Sequence, residues 1–414
     1  MRQPTGFGMI HSLACLLVPT MMVGASACGD PPVAPFDAGS GVAFALQATA
    51  PLSFRQISAG MYHSCGVTND NLAYCWGWNG VGQVGNGTFN TQYAQPVAVA
   101  GKLHFVQVSA GFDHTCGSTT DNRVYCWGSN ARGQLGDGTF FDRSTPVLVA
   151  PLRRFRLVSA GFVHTCAVTP LDAAFCWGNN DDGRLGDGTR TERLVPKAVR
   201  GGLRFRRVVA GGFHTCGVTT SSRAHCWGRN DQGQLGDGTS TTRLEPVPVA
   251  GGLKFRQVTA AAARVSFRWQ SASCGVTTDN RAYCWGGNFH GQLGDGSNTR
   301  RTRPVAVAGR LDFFQVNTGG GHTCGITMGN LAYCWGWNGR GQLGDGTTSE
   351  RQTPVAVTGG HQLRAVTTGG GLGGHTCSLS TANGAYCWGF NVFGQLGDGS
   401  TTNSSTPVAV AGPS

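Results

Sequence analysis

Short apolar runs separated by polar, Gly-rich turns fill the chain from about residue 50 onward, and they recur in a fixed order. Each run is rich in β-branched and aromatic residues, which is the pattern of strands in an all-β protein. In one copy the runs begin at Phe105, His114, Tyr125 and Pro146. We therefore predict four strands per copy, with tight turns between them.

The tripeptide Cys-Trp-Gly marks seven copies of this unit, 50 to 58 residues apart. A four-stranded period of this length predicts a β-propeller blade, because a closed ring of such sheets leaves only short, protected edges. The Trp of each copy should pack between neighbouring sheets. We predict an all-β, seven-bladed propeller over residues 51–412, in which the strands near Phe54 and Val410 could share a blade. The expected repeats cover about 52–101, 102–151, 152–201, 202–251, 252–309, 310–360 and 361–412.

Fourteen of the sixteen cysteines form pairs spaced by ten residues. If a three-residue hairpin loop lies midway, the two cysteines fall directly opposite each other, within disulfide reach. The last residue of such a loop is left-handed, and that position holds mostly Asn, which tolerates this conformation. We predict one hairpin disulfide per blade. The pairs are Cys65 and Cys75, Cys116 and Cys126, Cys166 and Cys176, Cys216 and Cys226, Cys274 and Cys284, Cys324 and Cys334, and Cys377 and Cys387.

Zinc is the alternative for these cysteines, since His114, Cys116 and Cys126 could supply three ligands. The fifth copy keeps both cysteines although Ala272 replaces the histidine. The pairs therefore do not depend on that histidine, which we interpret as a hydrogen-bonding residue at the start of a strand. The Asp137-Gly138 turns lack calcium-loop spacing. We predict no metal and no cofactor.

The N-terminus has the features of an export signal. Arg2 precedes an apolar stretch that ends in Ala25-Ser26-Ala27-Cys28, which predicts a signal peptide over residues 1–27. Two interpretations remain: acylation of Cys28 as in a bacterial lipoprotein, which we favour, or ordinary cleavage and secretion. Residues 28–50 are predicted to be a Gly- and Pro-rich tether. We expect an exported protein, extracellular or in the cell envelope, that contacts membranes only through a lipid anchor.

The motif Trp-Gly-x-Asn-x-x-Gly-Gln-Leu-Gly-Asp-Gly-Thr recurs across residues 54–412. It resembles the regulator of chromosome condensation repeat family, here as a bacterial exported member, and the resemblance implies a seven-bladed propeller. The eukaryotic namesake is a nucleotide exchange factor for a small nuclear GTPase that also binds chromatin, whereas a bacterial relative inhibits β-lactamases extracellularly. The resemblance therefore implies the fold and leaves the function open.

Charge and composition narrow the function only coarsely. Lys and Arg number 32 against 21 Asp and Glu, a formal net charge of +11 that favours acidic partners. The arginine clusters read as solvated surface, so we expect no nucleic acid partner, and we expect a monomer. Outside the Asp-Gly turns the sequence shows no paired carboxylates, and it shows no Ser, His and Asp constellation. We predict that the protein is not an enzyme.

Aromatic residues concentrate in loops that should leave the blades at one face. In the predicted register, the loop before His114 and the loop after Trp127 leave at the same end of the blade. The variable positions of these loops in blades one, five, six and seven predict a partner-binding sector. Packing between the loops as a small satellite core is the alternative. The sector consists of Met61, Tyr62, Trp78, Phe289, Trp337, Phe390 and Phe393.

The fifth copy carries eight extra residues within Ala260–Ser273. Arg264, Phe267, Arg268 and Trp269 make this insertion a candidate partner-contacting loop, with a harmless surface insertion as the alternative. We predict a non-catalytic exported scaffold that binds a protein or a cell-envelope polymer. The alternative function, a nucleotide exchange factor acting on a GTPase, requires an intracellular location.

Overall fold

The repeats fold into seven four-stranded antiparallel sheets that form the blades of a propeller. The structure is a computed structural model that describes residues 52–265, 268–371 and 374–414. Within these ranges no helix is long and apolar enough to cross a membrane. In chain order the strands are β1 Phe54–Ala59, β2 His63–Thr68, β3 Ala73–Asn79, β4 Thr91–Ala98, β5 Phe105–Ala110, β6 His114–Thr119, β7 Val124–Gly128, β8 Arg143–Leu148, β9 Leu157–Ala160, β10 His164–Val168, β11 Ala174–Gly178, β12 Arg193–Ala198, β13 Phe205–Ala210, β14 His214–Thr219, β15 Ala224–Gly228, β16 Arg243–Pro248, β17 Phe255–Val265, β18 Arg268–Thr277, β19 Ala282–Gly286, β20 Arg301–Ala306, β21 Phe313–Thr318, β22 His322–Thr327, β23 Ala332–Gly336, β24 Arg351–Ala356, β25 Leu363–Thr368, β26 His375–Ser380, β27 Ala385–Gly389 and β28 Ser404–Ala409.

The middle hairpin of every blade carries the predicted disulfide. In the first blade, β2 and β3 pair in a register that sets Cys65 opposite Cys75. The seven disulfides have Cα–Cα distances of 4.0 to 4.1 Å. The predicted left-handed loop residues all have φ between 61° and 70°, which confirms the three-residue loop. They are Asn71, Asn122, Asp172, Ser222, Asn280, Asn330 and Asn383.

Each blade holds the next one through a buried tryptophan. The indole of Trp127 is fully buried and its Nε1 donates a hydrogen bond of 3.0 Å to the carbonyl of Gln83 in the preceding blade. Gly85 lies against the same indole, where a Cβ would come within 2.5 Å of Nε1. Only glycine fits such a position at φ +81°. The Gln-Leu-Gly motif, Gln-Val-Gly in this blade, is therefore the seat for the neighbouring blade's tryptophan.

The recurrent histidines join neighbouring blades. His63 Nε2 lies 2.7 Å from Thr115 Oγ1 of the next blade, and five other histidines make the equivalent bond. The predicted hydrogen-bonding role is therefore confirmed, but the partner belongs to the adjacent blade. Burial lowers the pKa of His63 to about 3, so the ring is neutral. The neighbouring sulfurs are in disulfides, which leaves no thiolate for zinc, and the described residues contain no group of three or more metal-ligating side chains.

Every blade is one contiguous chain segment. The suggestion that the first and last strands share a blade is wrong, because β1 lies in the first sheet and β28 in the seventh. The first blade joins the seventh as the others join one another: Trp76 Nε1 donates to the carbonyl of Gln395 at 2.9 Å, and Ser64 Oγ lies 2.7 Å from His375 Nε2. Repeating side chains therefore close the ring without exchanging a strand.

The first strand of each blade lines a central channel. A bulge after the initial Phe or Leu shifts the register in six blades. The first, fourth and sixth residues are then buried between blades, while the third and fifth face the channel. The channel encloses about 320 Å³. Its third-position residues are Gln56, Gln107, Leu157, Arg207, Gln257, Gln315 and Ala365.

Candidate binding face

Two loops of each blade meet at one face of the propeller. In the first blade, the loop between β1 and β2 is joined to the end of β3 by a 2.9 Å hydrogen bond from Trp78 N to the Tyr62 carbonyl. All seven blades make the equivalent bond, which confirms that both loops leave at the same end. We call this end the loop face, and the opposite end, which carries the three-residue turns such as residues 69–71, the turn face.

Four of the predicted aromatic residues come together on the loop face where the seventh blade meets the first. The ring of Tyr62 lies 5.1 Å from Phe393, 6.2 Å from Trp78 and 6.3 Å from Phe390. All four side chains are partly buried. The four rings are therefore partly accessible to a partner, as a binding sector requires, and also pack against one another, as a satellite core would.

The other three predicted residues lie elsewhere. Trp337 and Phe289 flank His290, with ring distances of 6.4 and 5.0 Å, and form a second, separate group in blades five and six. Met61 is only 4% exposed, and a Cβ on Gly371 would lie within 2.5 Å of its side chain. The expectation that Met61 belongs to an exposed sector is thus corrected: its side chain fills space beneath the surface.

A row of aromatic rings that sequence reasoning missed continues from Tyr62 around the channel mouth. Tyr62 lies 6.5 Å from Phe112, Phe112 lies 4.8 Å from Phe162, and Phe162 lies 5.7 Å from Phe213. These phenylalanines occupy the two variable positions of Ala-Gly-x-x-His, where Met61 and Tyr62 stand in the first blade. Aligning those two positions across all copies would have found them. We call Tyr62, Phe112, Phe162, Phe213 and Trp269 the aromatic arc.

The insertion of the fifth blade supplies the end of the arc. It lengthens β17 and β18 into one hairpin that stays paired as far as Val265 and Arg268. Trp269 lies 4.9 Å from Phe213 and 5.5 Å from Phe162. Gln232 of the fourth blade donates a 2.6 Å hydrogen bond from Nε2 to the Trp269 carbonyl. The described part of the insertion is thus an extension of the sheet rather than a separate surface loop.

Several predicted residues cannot be placed in this arrangement. Cys28 and Phe267 lie outside the described residues. The backbones of Arg264 and Arg268 belong to the long hairpin, and only their backbones are described. Of the four insertion residues predicted to contact a partner, Trp269 is therefore the one whose side chain the structure describes.

The long hairpin crosses the channel axis. Ala262 is fully buried, and a Cβ on either Gly212 of the fourth blade or Gly320 of the sixth would overlap it. A Cβ on Gly370 of the seventh blade would lie 2.9 Å from the Ala262 carbonyl and 3.4 Å from the Phe162 ring. Residues of the third, fourth, fifth, sixth and seventh blades therefore meet here, and the hairpin covers the channel at the loop face.

Arginines stand over the aromatic rings at both ends of the row. The guanidinium carbons of Arg184 and Arg229 lie 5.4 and 5.3 Å from the Phe213 centroid, and that of Arg340 lies 5.6 Å from Phe390. Arg184 also donates to the Gly212 carbonyl at 3.1 Å. These cation–π contacts orient the guanidinium groups on the same face as the exposed ring edges.

A carboxylate pair that the sequence analysis did not recognise lies beside the arc. Burial and the nearby Asp142 raise the pKa of Asp113 to about 7. One buried carboxylate oxygen of Asp113 makes no hydrogen bond. Burial, and to a lesser extent the negative charge of Asp113, raises the pKa of the Tyr62 hydroxyl. Asp142 Oδ1 instead accepts a 2.6 Å hydrogen bond from the backbone of Asn130. About half of the Asp113 carboxyl groups are therefore protonated near pH 7.

Models of known protein families match this chain over most of its length. Residues 40–275 match the RCC1-like domain, and residues 279–326, 330–379 and 383–414 match the regulator of chromosome condensation (RCC1) repeat. The segments 279–326 and 330–379 begin in the outer strands of one blade and continue into the inner strands of the next, and 383–414 covers the outer strands of the seventh blade. The sequence repeat therefore spans the interface between blades, where the tryptophan seats lie.

Individual relatives are similar over shorter stretches. The chain is 42% identical over 101 residues to the ultraviolet-B receptor UVR8 of Arabidopsis thaliana and 32% identical over 93 residues to the probable E3 ubiquitin-protein ligase HERC4 of Homo sapiens. These stretches are 24% and 22% of this chain. The chain spans only 23% and 9% of the length of those two proteins.

Solved structures share the fold at low identity. Human WBSCR16 has a TM-score of 0.72 at 20% identity, covering 82% of this chain and 94% of that one. Prp20p of Saccharomyces cerevisiae, whose binding to Gsp1p and histones has been described, has a TM-score of 0.70 at 19% identity, covering 84% and 87%. The ectodomain of the Arabidopsis thaliana receptor kinase ACR4 has a TM-score of 0.51 at 19% identity, covering 87% and 98%.

Proposed function

Because the chain belongs to the RCC1-like propeller family, whose fold is typical of binding and regulatory proteins, we propose that it is a non-catalytic scaffold that captures a partner protein on its loop face, outside the cytosol. Fold alone does not select the partner. The residues on the loop face therefore determine which partner can bind.

The aromatic arc is the observation that carries the proposal. Partly buried Tyr, Phe and Trp rings with arginines stacked on them are the residue types that dominate the energetics of protein interfaces. The rings hold one another at 4.8 to 6.5 Å, so little side-chain freedom remains to be lost on binding. A partner that buries the arc gains apolar contact over a surface that is already ordered.

The disulfides support a location outside the cytosol. Seven hairpin disulfides persist in an oxidising compartment and are rare where glutathione and thioredoxin keep thiols reduced. The predicted signal peptide over residues 1–27 agrees with this location. A nucleotide exchange factor acting on a cytosolic GTPase would work where these bonds are not maintained, so we favour the exported scaffold.

Matched variants on opposite faces test the binding surface. Capture by the purified chain from its own cell-envelope extract is compared for wild type, Tyr62→Ala, Trp269→Ala and the control Leu171→Ala, which lies on the turn face and is 76% exposed. We expect one captured protein to be lost with both loop-face variants and retained with the control, while thermal melting shows all variants folded. Equal capture by all four would contradict the proposal. Capture of protease-resistant material would assign an envelope polymer as the partner instead.

Intact-mass spectrometry tests the location. We expect a mature chain beginning at Cys28, with a mass that rises by two hydrogens per disulfide on reduction. An added diacylglycerol would establish the lipoprotein, and an unmodified Cys28 would establish secretion. Free thiols on an uncleaved chain would instead favour an intracellular exchange factor.

A further inference from the structure

The central channel contains a cation that breaks the repeat. The third residue of the inner strand is Gln in blades one, two, five and six, Leu in blade three and Ala in blade seven, but Arg207 in blade four. The glutamines serve the structure: Gln56 accepts from the Val108 backbone N–H and donates to its carbonyl, both at 3.0 Å, and so ties neighbouring inner strands together. Arg207 replaces a repeated structural residue with a charge.

The described contacts do not explain this charge. Among the residues that the structure describes, the guanidinium of Arg207 makes no hydrogen bond and no ion pair, and no Asp or Glu lines the channel. The other arginine at the channel, Arg55, is engaged, because it donates to Asn71 Oδ1 at 2.7 Å and to the Phe105 carbonyl at 2.6 Å. Arg207 is exposed to the solvent of the channel, and desolvation by the surrounding channel wall lowers the pKa of its guanidinium.

Hydroxyl groups face the same space one step deeper along the inner strands. Ser58, Ser109 and Ser159 each accept a 3.0 Å hydrogen bond from the backbone N–H of an alanine in the next blade. A serine hydroxyl also has a proton to donate, and within the described residues none of these three donates to a protein acceptor. The channel therefore combines one guanidinium with a row of available hydroxyl donors.

The shape of the channel gives a ligand one direction of entry. At the loop face, Ala262 of the long hairpin and Phe162 of the third blade cover the axis. Arg207 stands near the start of β13, which is the turn-face end of the strand, because Phe205 N donates to the carbonyl of the turn residue Asp172 at 2.7 Å. A small molecule entering from the turn face meets the guanidinium first and the serine hydroxyls behind it.

We propose that the central channel is a binding site for a small oxyanion, a phosphate, sulfate or carboxylate group, held by Arg207 and the serine hydroxyls. The planar guanidinium can donate two parallel hydrogen bonds to two oxygens of such a group, which is a bidentate geometry. The volume of about 320 Å³ holds such an anion together with water. The site is separate from the loop face and does not depend on the proposed partner.

Titration with inorganic phosphate tests the site. Isothermal calorimetry in a low-salt buffer would compare the wild-type chain with Arg207→Gln, which restores the residue found in four other blades and so preserves the fold. We expect phosphate to bind the wild type and its affinity to fall about tenfold or more in the variant, since charge-assisted hydrogen bonds are lost. A selenate soak of wild-type crystals should place the anion next to Arg207.

A charge-matched variant separates the site from general attraction to a basic protein. Arg154→Gln removes one exposed positive charge away from the channel, and we expect it to bind phosphate as the wild type does. The proposal is overturned if Arg207→Gln and Arg154→Gln weaken phosphate binding equally, or if neither does. It is also overturned if the wild type binds no phosphate, sulfate or acetate.

Discussion

Substitutions at two glycines of one loop can measure how much the packing between neighbouring blades contributes to stability. Gly136 and Gly138 both have left-handed backbones, with φ of 72° and 83°. A Cβ on Gly136 would lie 2.5 Å from Nε1 of Trp177, whereas a Cβ on Gly138 would meet nothing closer than 3.9 Å. Substituting Ala at either position therefore imposes the same backbone strain, and only Gly136→Ala also displaces the buried indole.

The expected difference follows from that displacement. Left-handed strain costs about 1 to 2 kcal/mol in both variants. Gly136→Ala must additionally push Trp177 away, which weakens its 2.9 Å hydrogen bond to the Gln134 carbonyl, about 1 kcal/mol, and overpacks the interface, about 1 to 3 kcal/mol. We expect Gly136→Ala to destabilise the fold by roughly 2 to 4 kcal/mol more than Gly138→Ala.

Urea unfolding followed by tryptophan fluorescence, with the disulfides intact, measures this difference, provided that the slope against urea is unchanged. Gly344 and Gly346 repeat the contrast at another interface, since only Gly344 abuts an indole, that of Trp388. If the free energies of unfolding of the paired variants agree within about 0.5 kcal/mol, the glycine is not required by the indole seat and the reasoning is refuted.

Three further outcomes are expected. The pKa of Asp113 is raised to about 7, so the unfolded chain binds fewer protons between pH 4 and 7 and stability falls as pH rises through that range. Asp113→Asn should therefore raise the free energy of unfolding at pH 8 by at most roughly 4 kcal/mol and change it little near pH 3.5, and equal effects at both pH values would contradict this. Five of the six interblade histidines have pKa values lowered to about 3, and burial lowers the pKa of the sixth, His164, well below its usual range. Stability should therefore fall as pH drops below 6.5, with these histidines taking up close to six protons on unfolding at pH 5, and a melting temperature flat from pH 7 to 5 would exclude neutral buried rings. Replacing Cys116 and Cys126 together by Ala should cost roughly 2 to 3 kcal/mol in denaturant unfolding without loss of the fold, and a larger cost would mean that the pair does more than constrain the unfolded chain.

The sequence predicts what is local and repeated, and it fails where residues far apart in the chain meet. The pairing of Cys65 with Cys75 follows from a turn that spans three residues, so spacing and turn chemistry are sufficient. The position of Ala262 cannot be predicted, because nothing in its surroundings along the chain reveals that its hairpin reaches Gly370 of the seventh blade, two blades away. Arg207 is visible in the sequence as a departure from Gln, but its direction depends on a bulge after Phe205 that only the structure shows.

On the binding face, too, the sequence does not predict contacts between residues of different blades. Tyr62 and Trp78 were found because they are large and stand in variable loop positions. Met61 was misplaced because the neighbouring Gly371, which makes room for its side chain, belongs to the seventh blade. Asp113 was overlooked because a carboxylate becomes unusual only through burial and through a second carboxylate, Asp142, that is supplied by another loop.

Because each blade is one contiguous chain segment, a new chain end between two blades would not divide any sheet. The seventh and first sheets meet through the same tryptophan seat as all other neighbours and through the histidine bond that only the junction of the fifth and sixth blades lacks, and Ser414 N donates to the carbonyl of Pro96 in the first blade. A circular permutant that joins Ser414 to residue 52 and begins at Phe205 would assemble the same wheel from the same modules. The fifth blade would have to keep its place in such a permutant, because Ala262 of its long hairpin packs against Gly212, Gly320 and Gly370 of three other blades.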